Sequence, residues 1–253
     1  MQKLKSFIKQ NPHDPVITGI YEADMALAYF PRKEVEKFLP QAMSIPSDRI
    51  MAEKYPTVKK IEGMHPFLLQ GSTGSKVRPL IYNGNFRAYQ EIMFYFPVIY
   101  THEKEEQLCS YVPVLYLEYL FGVIFGNLYF KFRKEYHPEM IIEDNDKTKN
   151  YIVKDIINVN FHRTSNKNRK ELDPFFAQTF ENPTVTVSYL NQDYFYHTNV
   201  FSITKVLDTS PVYEWNYKGC VIKNNKNTFG NYSEFTFTLS KVMRYKAFFH
   251  PAD

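Results

Sequence analysis

Residues 89–100 read YQEIMFYFPVIY, and nearly every position in this run is apolar or aromatic. Aromatic and β-branched side chains fit the pleated surface of a sheet. A continuous apolar run of this length is typical of a strand that is buried on both faces. The stretch therefore predicts a β-strand in the interior of the protein.

The composition of the whole chain favours the same kind of fold. Of 253 residues, 17 % are aromatic (20 Tyr, 22 Phe and 1 Trp), whereas Gly numbers 9 and Cys 2. Such a chain is neither disordered, nor collagen-like, nor a disulfide-rich scaffold. It is long enough to bury a full core, and no segment is polar enough to act as a linker. We therefore expect residues 1–253 to form a single domain.

The rest of the chain is punctuated by turn residues between short apolar segments. Two short helices are predicted from Pro at the helix start, over residues 31–39 and 174–180. Loops are predicted over residues 44–60, 71–78 and 101–110. Further strands are predicted over residues 111–120, 123–132, 151–161, 184–190, 194–200, 212–217, 234–239 and 242–249. The predicted class is mostly β (α+β), an antiparallel β-barrel with a few short helices.

Charge and cysteine usage limit the choice of partners and compartment. The net charge is +4, and the basic residues are spread along the chain. The densest basic run, NKNRK at residues 166–170, is short and lacks any nucleic-acid-binding motif around it, so no nucleic-acid partner is expected. The polar first 13 residues contain no apolar stretch typical of a signal peptide. We expect a cytoplasmic protein with two free thiols.

Residues 112–130, VPVLYLEYLFGVIFGNLYF, are almost long enough to cross a bilayer. Glu118 lies near the middle of the run, however, and a carboxylate in lipid is costly. Two adjacent buried strands would give the same composition, so they are preferred to a membrane span, and no membrane partner is expected.

Signatures of common enzymes are missing, and one lysine stands out. The seven His are isolated, with no metal-ligand spacing, and there is no GxSxG or GxGxxG, so we expect no metal and no cofactor. If residues 123–135 continue as a strand, Leu128, Phe130, Phe132 and Lys134 share one face. Burial would then lower the pKa of Lys134, and a neutral amine can form a Schiff base. Alternatively the strand ends before Lys134, which then enters water.

Three short motifs, in order and at matching spacing, carry a family resemblance. They are Tyr89-Gln90-Glu91 followed by Pro97-Val98, Tyr111-Val112 followed by Tyr116-Leu117-Glu118, and the stretch from Gly126 to Phe132-Arg133-Lys134. Together they resemble the acetoacetate decarboxylase family. The resemblance implies that Lys134 is the Schiff-base lysine and Glu91 an active-site glutamate. The predicted substrate pocket consists of Phe132, Phe130, Tyr116, Tyr21 and Arg87.

The chain departs from the family pattern at three positions. Glu135 replaces a second lysine, Gly126-Asn127-Leu128 replaces Gly-Arg-Glu, and Tyr21 falls where an arginine is thought to hold the substrate carboxylate. A carboxylate beside Lys134 would favour the charged amine. Aromatic rings, among them Phe94 and Phe96, would then have to lower its pKa by desolvation. Arg87 or Arg133 could replace the lost arginine.

These observations leave more than one function open. The first is a Schiff-base lyase acting on a small keto acid or other carbonyl compound, by decarboxylation or by related aldol or dehydration chemistry. Because the second lysine and the arginine are missing, we expect one of these related imine reactions and not the decarboxylation of acetoacetate itself. The alternative is a non-catalytic binding protein that holds a small hydrophobic or carbonyl ligand, with Lys134 idle. A structural subunit is a third hypothesis. Since the family forms oligomers, a homo-oligomer is expected.

Overall fold

The structure of the protein is a computed structural model, and all the strands that it describes belong to one sheet of sixteen strands. The structure describes residues 17–79, 84, 86–102, 104–130, 133–145, 148–154, 156–167, 174–187, 195–198, 201–209, 212–223, 234–236 and 238–251. In chain order the first eight strands are β1 (Ile17–Pro31), β2 (Met43–Ser44), β3 (Met64–Pro79), β4 (Tyr89–His102), β5 (Glu105–Tyr111), β6 (Leu115–Leu117), β7 (Lys134–Tyr136) and β8 (Ile141–Asp144). The second eight are β9 (Thr148–Val153), β10 (Ile157–Lys167), β11 (Thr184–Val187), β12 (Phe195–Thr198), β13 (Phe201–Thr209), β14 (Val212–Lys223), β15 (Glu234–Thr236) and β16 (Thr238–Pro251).

The helices are short and lie between strands. They are α1 (Arg32–Phe38), α2 (Asp48–Lys54), α3 (Leu120–Phe125), continued by a π-helix (Gly126–Phe130), and α4 (Pro174–Glu181). The predicted helices correspond to α1 and α4, although Pro31 precedes α1 instead of opening it. No helix among the described residues is both long and apolar enough to cross a membrane.

The sheet is built mainly from antiparallel neighbours. Its main path runs β12-β11-β5-β4-β3-β1-β16-β14-β10-β9-β8. Among the described strands, two pairs depart from the predicted antiparallel order, because β11 runs parallel to β5 and β7 runs parallel to β6. The mostly β class with few helices is confirmed. Within the described residues the path is not closed, so the barrel stays a prediction.

Strand β4 confirms the prediction made from residues 89–100, since its first twelve residues are buried or nearly so. Successive side chains of a strand point to opposite faces. One face, here called the site face, carries Tyr89, Glu91 and Met93. The other, here called the rear core, carries Phe94 and Phe96, with Phe96 in edge contact with Phe30 and stacked on Phe67.

The prediction of a loop over residues 71–78 is wrong, because this Gly/Ser-rich segment is the second half of β3. A Cβ on Gly71 would lie 2.5 Å from the ring of Tyr151. A Cβ on Gly74 would lie 3.0 Å from the ring of Tyr21. The glycines are there because aromatic rings pack directly on the backbone, which local composition does not reveal.

The strand predicted over residues 123–132 is also wrong, because α3 and the π-helix occupy this stretch. Its exposed apolar side chains recur with helical spacing, at Leu120, Phe121, Ile124 and Leu128. Leu128 and Phe130 lie in the π-helix, so the predicted strand face that they share with Lys134 is wrong. Strand β7 begins only at Lys134, after the helical segment.

Other boundaries shift in the same region. The predicted loop at residues 101–110 is mostly strand, since β4 ends at His102 and β5 begins at Glu105. The predicted strand at residues 111–120 is reduced to β6, and the predicted strand at residues 151–161 is divided between β9 and β10. The predicted loop at residues 44–60 contains α2.

Candidate active site

The sheet register brings Glu91 and Lys134 to the same face. Glu91 and Met93 are two residues apart on β4 and so point the same way. Met93 pairs with Leu115 of β6, and Leu115 pairs with Lys134 of β7. Because directly opposed residues in neighbouring strands share a face, Lys134 projects from the face that carries Glu91.

Gly126, the first residue of the π-helix, makes room for the Lys134 side chain. A Cβ at this position would overlap Lys134 Cδ and Cε and would lie 3.0 Å from Nζ. Since the lysine side chain lies against the bare glycine backbone, its course depends on the absence of a side chain here. Lys134 as a whole is half-buried.

The side chain of Asn127 holds the backbone of Lys134 at both its polar groups. Asn127 Nδ2 donates to the Lys134 carbonyl oxygen at 2.9 Å, and the Lys134 N–H donates to Asn127 Oδ1 at 2.8 Å. Asn127 is 7 % exposed, so water competes little for these bonds. The amide therefore replaces a strand neighbour and fixes where β7 begins.

Burial of the amine lowers the pKa of Lys134 below its ordinary value of 10.5, because desolvation disfavours the charged form. The negative charge of Glu91 acts in the opposite direction and offsets part of this effect. Among the described residues the amine makes no hydrogen bond and no ion pair at contact distance. Lys134 is thus an amine that gives up its proton more readily than a surface lysine.

Glu91 is a buried carboxyl, 4 % exposed, within a short chain of hydrogen bonds. Gln70 Nε2 donates to Ser72 Oγ at 3.3 Å, and Ser72 Oγ donates to Glu91 Oε1 at 2.9 Å. Desolvation raises the pKa of Glu91, while the Lys134 charge and the Ser72 hydrogen bond lower it to a smaller extent. The carboxyl can therefore hold a proton at a higher pH than an exposed glutamate.

Two tyrosines continue the site face beside Glu91. The hydroxyls of Tyr21 and Tyr89 are 2.9 Å apart, and either can donate to the other. Both pair with Gly74 in the register, which lets the rings meet above the backbone. Burial, reinforced by the Glu91 charge, raises the pKa of both phenols. The pair is consequently neutral over the physiological pH range.

Other residues predicted for the pocket lie elsewhere. Tyr116 points into the rear core, since it pairs with Ile92 on the opposite face from Glu91. Arg87 is exposed, and its guanidinium lies 4.9 Å from the centre of the Tyr119 ring. The Phe130 side chain and the whole of Phe132 lie outside the described residues.

The expected influence of Glu135 on the lysine is wrong. Glu135 follows Lys134 in β7 and therefore points to the other side of the sheet, where its carboxylate lies 3.1 Å from Arg133 Nη2 and 3.8 Å from His137 Nε2. Glu91 is the carboxylate whose charge acts on Lys134. The expected desolvating rings, Phe94 and Phe96, lie in the rear core. Other apolar side chains form the site-face cluster, among them Met93, Leu115, Leu117, Val123 and Phe125.

The site face thus combines a nucleophile, a proton carrier and neutral hydroxyls. Lys134 can attack a carbonyl carbon, Glu91 can exchange protons, and the tyrosine pair can hydrogen-bond a neutral oxygen. Within the described ranges, no three His, Cys, Asp or Glu side chains are close enough together to hold a metal ion. The sequence did not predict three residues of this site, Gly126, Asn127 and Tyr89. For Asn127 there was one signal in the sequence, a polar amide within an otherwise apolar run.

Comparison with known proteins gives a match in structure but not in sequence. No protein-family model matches the chain, and no curated protein matches it. Acetoacetate decarboxylase from Legionella pneumophila subsp. pneumophila str. Philadelphia 1 superposes with a TM-score of 0.59 at 12 % identity, over 93 % of this chain and 85 % of that chain. A second acetoacetate decarboxylase gives a TM-score of 0.60 at 9 % identity, over 95 % and 88 %. The fold is that of acetoacetate decarboxylase.

A third solved structure that superposes on the chain is that of an enzyme of enduracididine biosynthesis. The enduracididine biosynthesis enzyme MppR, in complex with pyruvate, superposes with a TM-score of 0.53 at 9 % identity, over 92 % of this chain and 88 % of that chain. The resemblance carried by the sequence motifs is confirmed at the level of the fold. At such low identity the likeness shows the fold alone, so the chemistry has to be argued from the site face.

Proposed function

We propose that this protein is an enzyme that forms a Schiff base between the Lys134 amine and a small carbonyl compound. The observation that carries the proposal is the position of the Lys134 amine, which makes no ion pair at contact distance among the described residues and lies on the same face as a buried carboxyl. Burial lowers the pKa of this amine. A surface lysine would be almost fully protonated at neutral pH and unreactive. The acetoacetate decarboxylase fold supports the same chemistry.

The reaction needs one proton carrier near the amine. The neutral Lys134 nitrogen attacks the carbonyl carbon, a C–N bond forms, and the carbonyl oxygen takes up a proton to give a carbinolamine. The hydroxyl leaves as water with one further proton, the nitrogen loses its own proton, and a C=N bond remains. Glu91, whose pKa is raised by burial, gives the two protons that the oxygen takes up and takes back the one that the nitrogen loses, so that it ends ionised beside a protonated imine.

The protonated imine then acts as an electron sink for the adjacent carbon–carbon bond. Decarboxylation of a keto acid, aldol cleavage and dehydration all use this property. Keto acids are the substrates expected from the sequence resemblance, and MppR has been solved with pyruvate bound. The proposal covers keto acids and other small carbonyl compounds.

Reductive trapping tests the proposal. The protein is incubated with a panel of small ketones and keto acids, reduced with sodium borohydride, and digested for peptide mass spectrometry. We expect an alkyl adduct on the peptide containing Lys134, which disappears in Lys134→Met. Lys154→Met, which removes an exposed lysine paired with Glu139, is the control and should keep the adduct. No adduct on Lys134 across the panel would leave the non-catalytic binding protein as the better account.

A further inference from the structure

The charges on the site face point to a narrower substrate class, an inference that rests on the proposed Schiff-base function. We propose that the site takes an uncharged ketone or aldehyde in preference to a substrate that carries a carboxylate. The residues that argue for this are the tyrosine pair, Glu91 and the two nearby arginines.

The tyrosine pair supplies hydroxyl groups without a positive charge. Tyr21 and Tyr89 lie on the same face as Glu91, with Tyr89 two residues before it on β4. The position of the Tyr21 ring is set by glycines on two sides, since a Cβ on Gly19 would lie 3.1 Å from the ring and a Cβ on Gly74 would lie 3.0 Å from it. Neutral hydroxyls bind a carbonyl or hydroxyl oxygen well, but they do not neutralise a buried carboxylate.

Within the part of the chain that the structure describes, the two arginines offered by the sequence as partners for a substrate carboxylate, Arg133 and Arg87, are engaged elsewhere. Arg133 Nη2 lies 3.1 Å from Glu135, whose carboxylate points away from the site face. Arg87 is exposed, donates to the Glu118 carbonyl oxygen at 3.4 Å and lies over the Tyr119 ring. Neither guanidinium is directed at the space between Lys134 and Glu91.

Charge balance in the reaction favours a neutral substrate. Once the imine is protonated, Lys134 carries one positive charge and an ionised Glu91 carries one negative charge. An uncharged ketone therefore leaves a balanced pair on the buried face. A substrate carboxylate would add a second negative charge beside Glu91, and like charges in a desolvated site disfavour each other strongly.

A matched pair of ketones tests the inference. Acetoacetate and 4-methylpentan-2-one share one skeleton, with the carboxylate of the first replaced by an isopropyl group in the second. Each is incubated with the protein at pH 7 and trapped with borohydride, and the initial rate of Lys134 labelling is measured by peptide mass spectrometry. Adducts of acetone formed from acetoacetate are counted with acetoacetate. Each rate is divided by the rate with a small free amine, which removes differences in intrinsic reactivity.

We expect the neutral ketone to label Lys134 at least about tenfold faster than acetoacetate after this correction. Equal rates, or faster labelling by acetoacetate, would overturn the substrate class while leaving the Schiff-base function intact. If neither compound labels Lys134, the Schiff-base function itself fails and the inference fails with it.

The isosteric variant Glu91→Gln tests the physical cause. Removing the carboxylate charge should slow both reactions, because a proton carrier is lost, but it should narrow the ratio of the two rates by several-fold. Glu139→Gln, which makes the same change at an exposed carboxylate paired with Lys154, is the control and should keep the ratio near that of the wild type. A ratio that does not change in Glu91→Gln would contradict the electrostatic argument.

Discussion

Among single residues, Gly126 is the position where a substitution should affect the reactivity of Lys134 much more than the stability of the fold. Ala is favoured over Gly inside a helix by about 1 kcal/mol. A Cβ at position 126 meets only the flexible stem of Lys134 among its nearest neighbours, so the lysine has to move and the backbone does not. We predict that Gly126→Ala changes the free energy of unfolding by no more than about 1 kcal/mol and lowers the rate of Lys134 labelling at least about tenfold.

Urea denaturation and reductive trapping measure the two effects. Gly122→Ala lies in the same helical segment and is the matched control. Its Cβ would contact Tyr119 and Leu117 side chains at 3.1 and 3.2 Å, so it should affect packing without displacing the lysine. Undiminished labelling in Gly126→Ala would show that the position of the Lys134 stem does not matter.

The coupling between Glu91 and Lys134 predicts a pH effect with a definite sign. Imine formation needs the neutral amine, so the labelling rate rises with pH through the pKa of Lys134, which lies below 10.5. The Glu91 charge raises the pKa of Lys134, and removing that charge lowers it further. In Glu91→Gln the rising limb of the pH–rate profile should therefore move to lower pH. A limb that stays in place or moves to higher pH would contradict the coupling.

Among the elements, β3 shows how closely the strands approach the rings that cover them. Tyr151, which donates to Asp24 Oδ2 at 3.0 Å, lies directly on the backbone of Gly71. Adding a methyl group to a well-packed site typically costs about 1–3 kcal/mol. We predict a loss of this size for Gly71→Ala in urea denaturation, and a clearly smaller loss when it is made in a Tyr151→Leu background. Equal losses in the two backgrounds would show that the ring contact is not the cause.

The elements also show where a sequence can be read and where it cannot. Residues 89–100 predicted β4 correctly because burial on both faces leaves a continuous apolar run, and Pro31 and Pro174 marked the starts of α1 and α4. Residues 123–130, part of the strand predicted over 123–132, are helical instead, since their Phe, Tyr and Val content favours strands while tertiary packing makes them helical.

The candidate site was only partly accessible to prediction. The spacing of short motifs selected Lys134 and Glu91, although the strand-face argument for Lys134 failed. The roles of Asn127 and Gly126 could not be read from the sequence, because both depend on β7 starting directly beside the π-helix. The direction of Glu135 likewise follows from the β6–β7 pairing, which no local pattern specifies.

At the scale of the whole molecule, a buried histidine makes the free energy of unfolding depend on pH. His65 is 2 % exposed, and its Nε2 lies 2.9 Å from the Pro97 carbonyl oxygen. Desolvation lowers the pKa of His65 from 6.5 to about 4. In the unfolded chain His65 is protonated below about pH 6.5, whereas in the folded protein it is protonated only below about pH 4. The free energy of unfolding therefore decreases as the pH falls through this window. Over the full window the loss amounts to about 3 kcal/mol.

Unfolding by urea at several pH values between 7 and 4 checks this prediction. His65→Gln keeps a side-chain donor but does not titrate, so its stability should vary less over the same window. An identical pH dependence in wild type and variant would assign the acid sensitivity to other groups. The single domain, the closed barrel and the homo-oligomer stay predictions, and size-exclusion chromatography with light scattering measures the last of them.

Schiff-base formation at Lys134 is tested most directly by a crystal structure of the protein after borohydride trapping with a small ketone. We expect continuous density from Lys134 Nζ to the former carbonyl carbon, on the same face of the sheet as Glu91 and against Gly126. An unmodified Lys134 whose amine points into solvent, in a crystal of protein exposed to the same ketone and reductant, would contradict it.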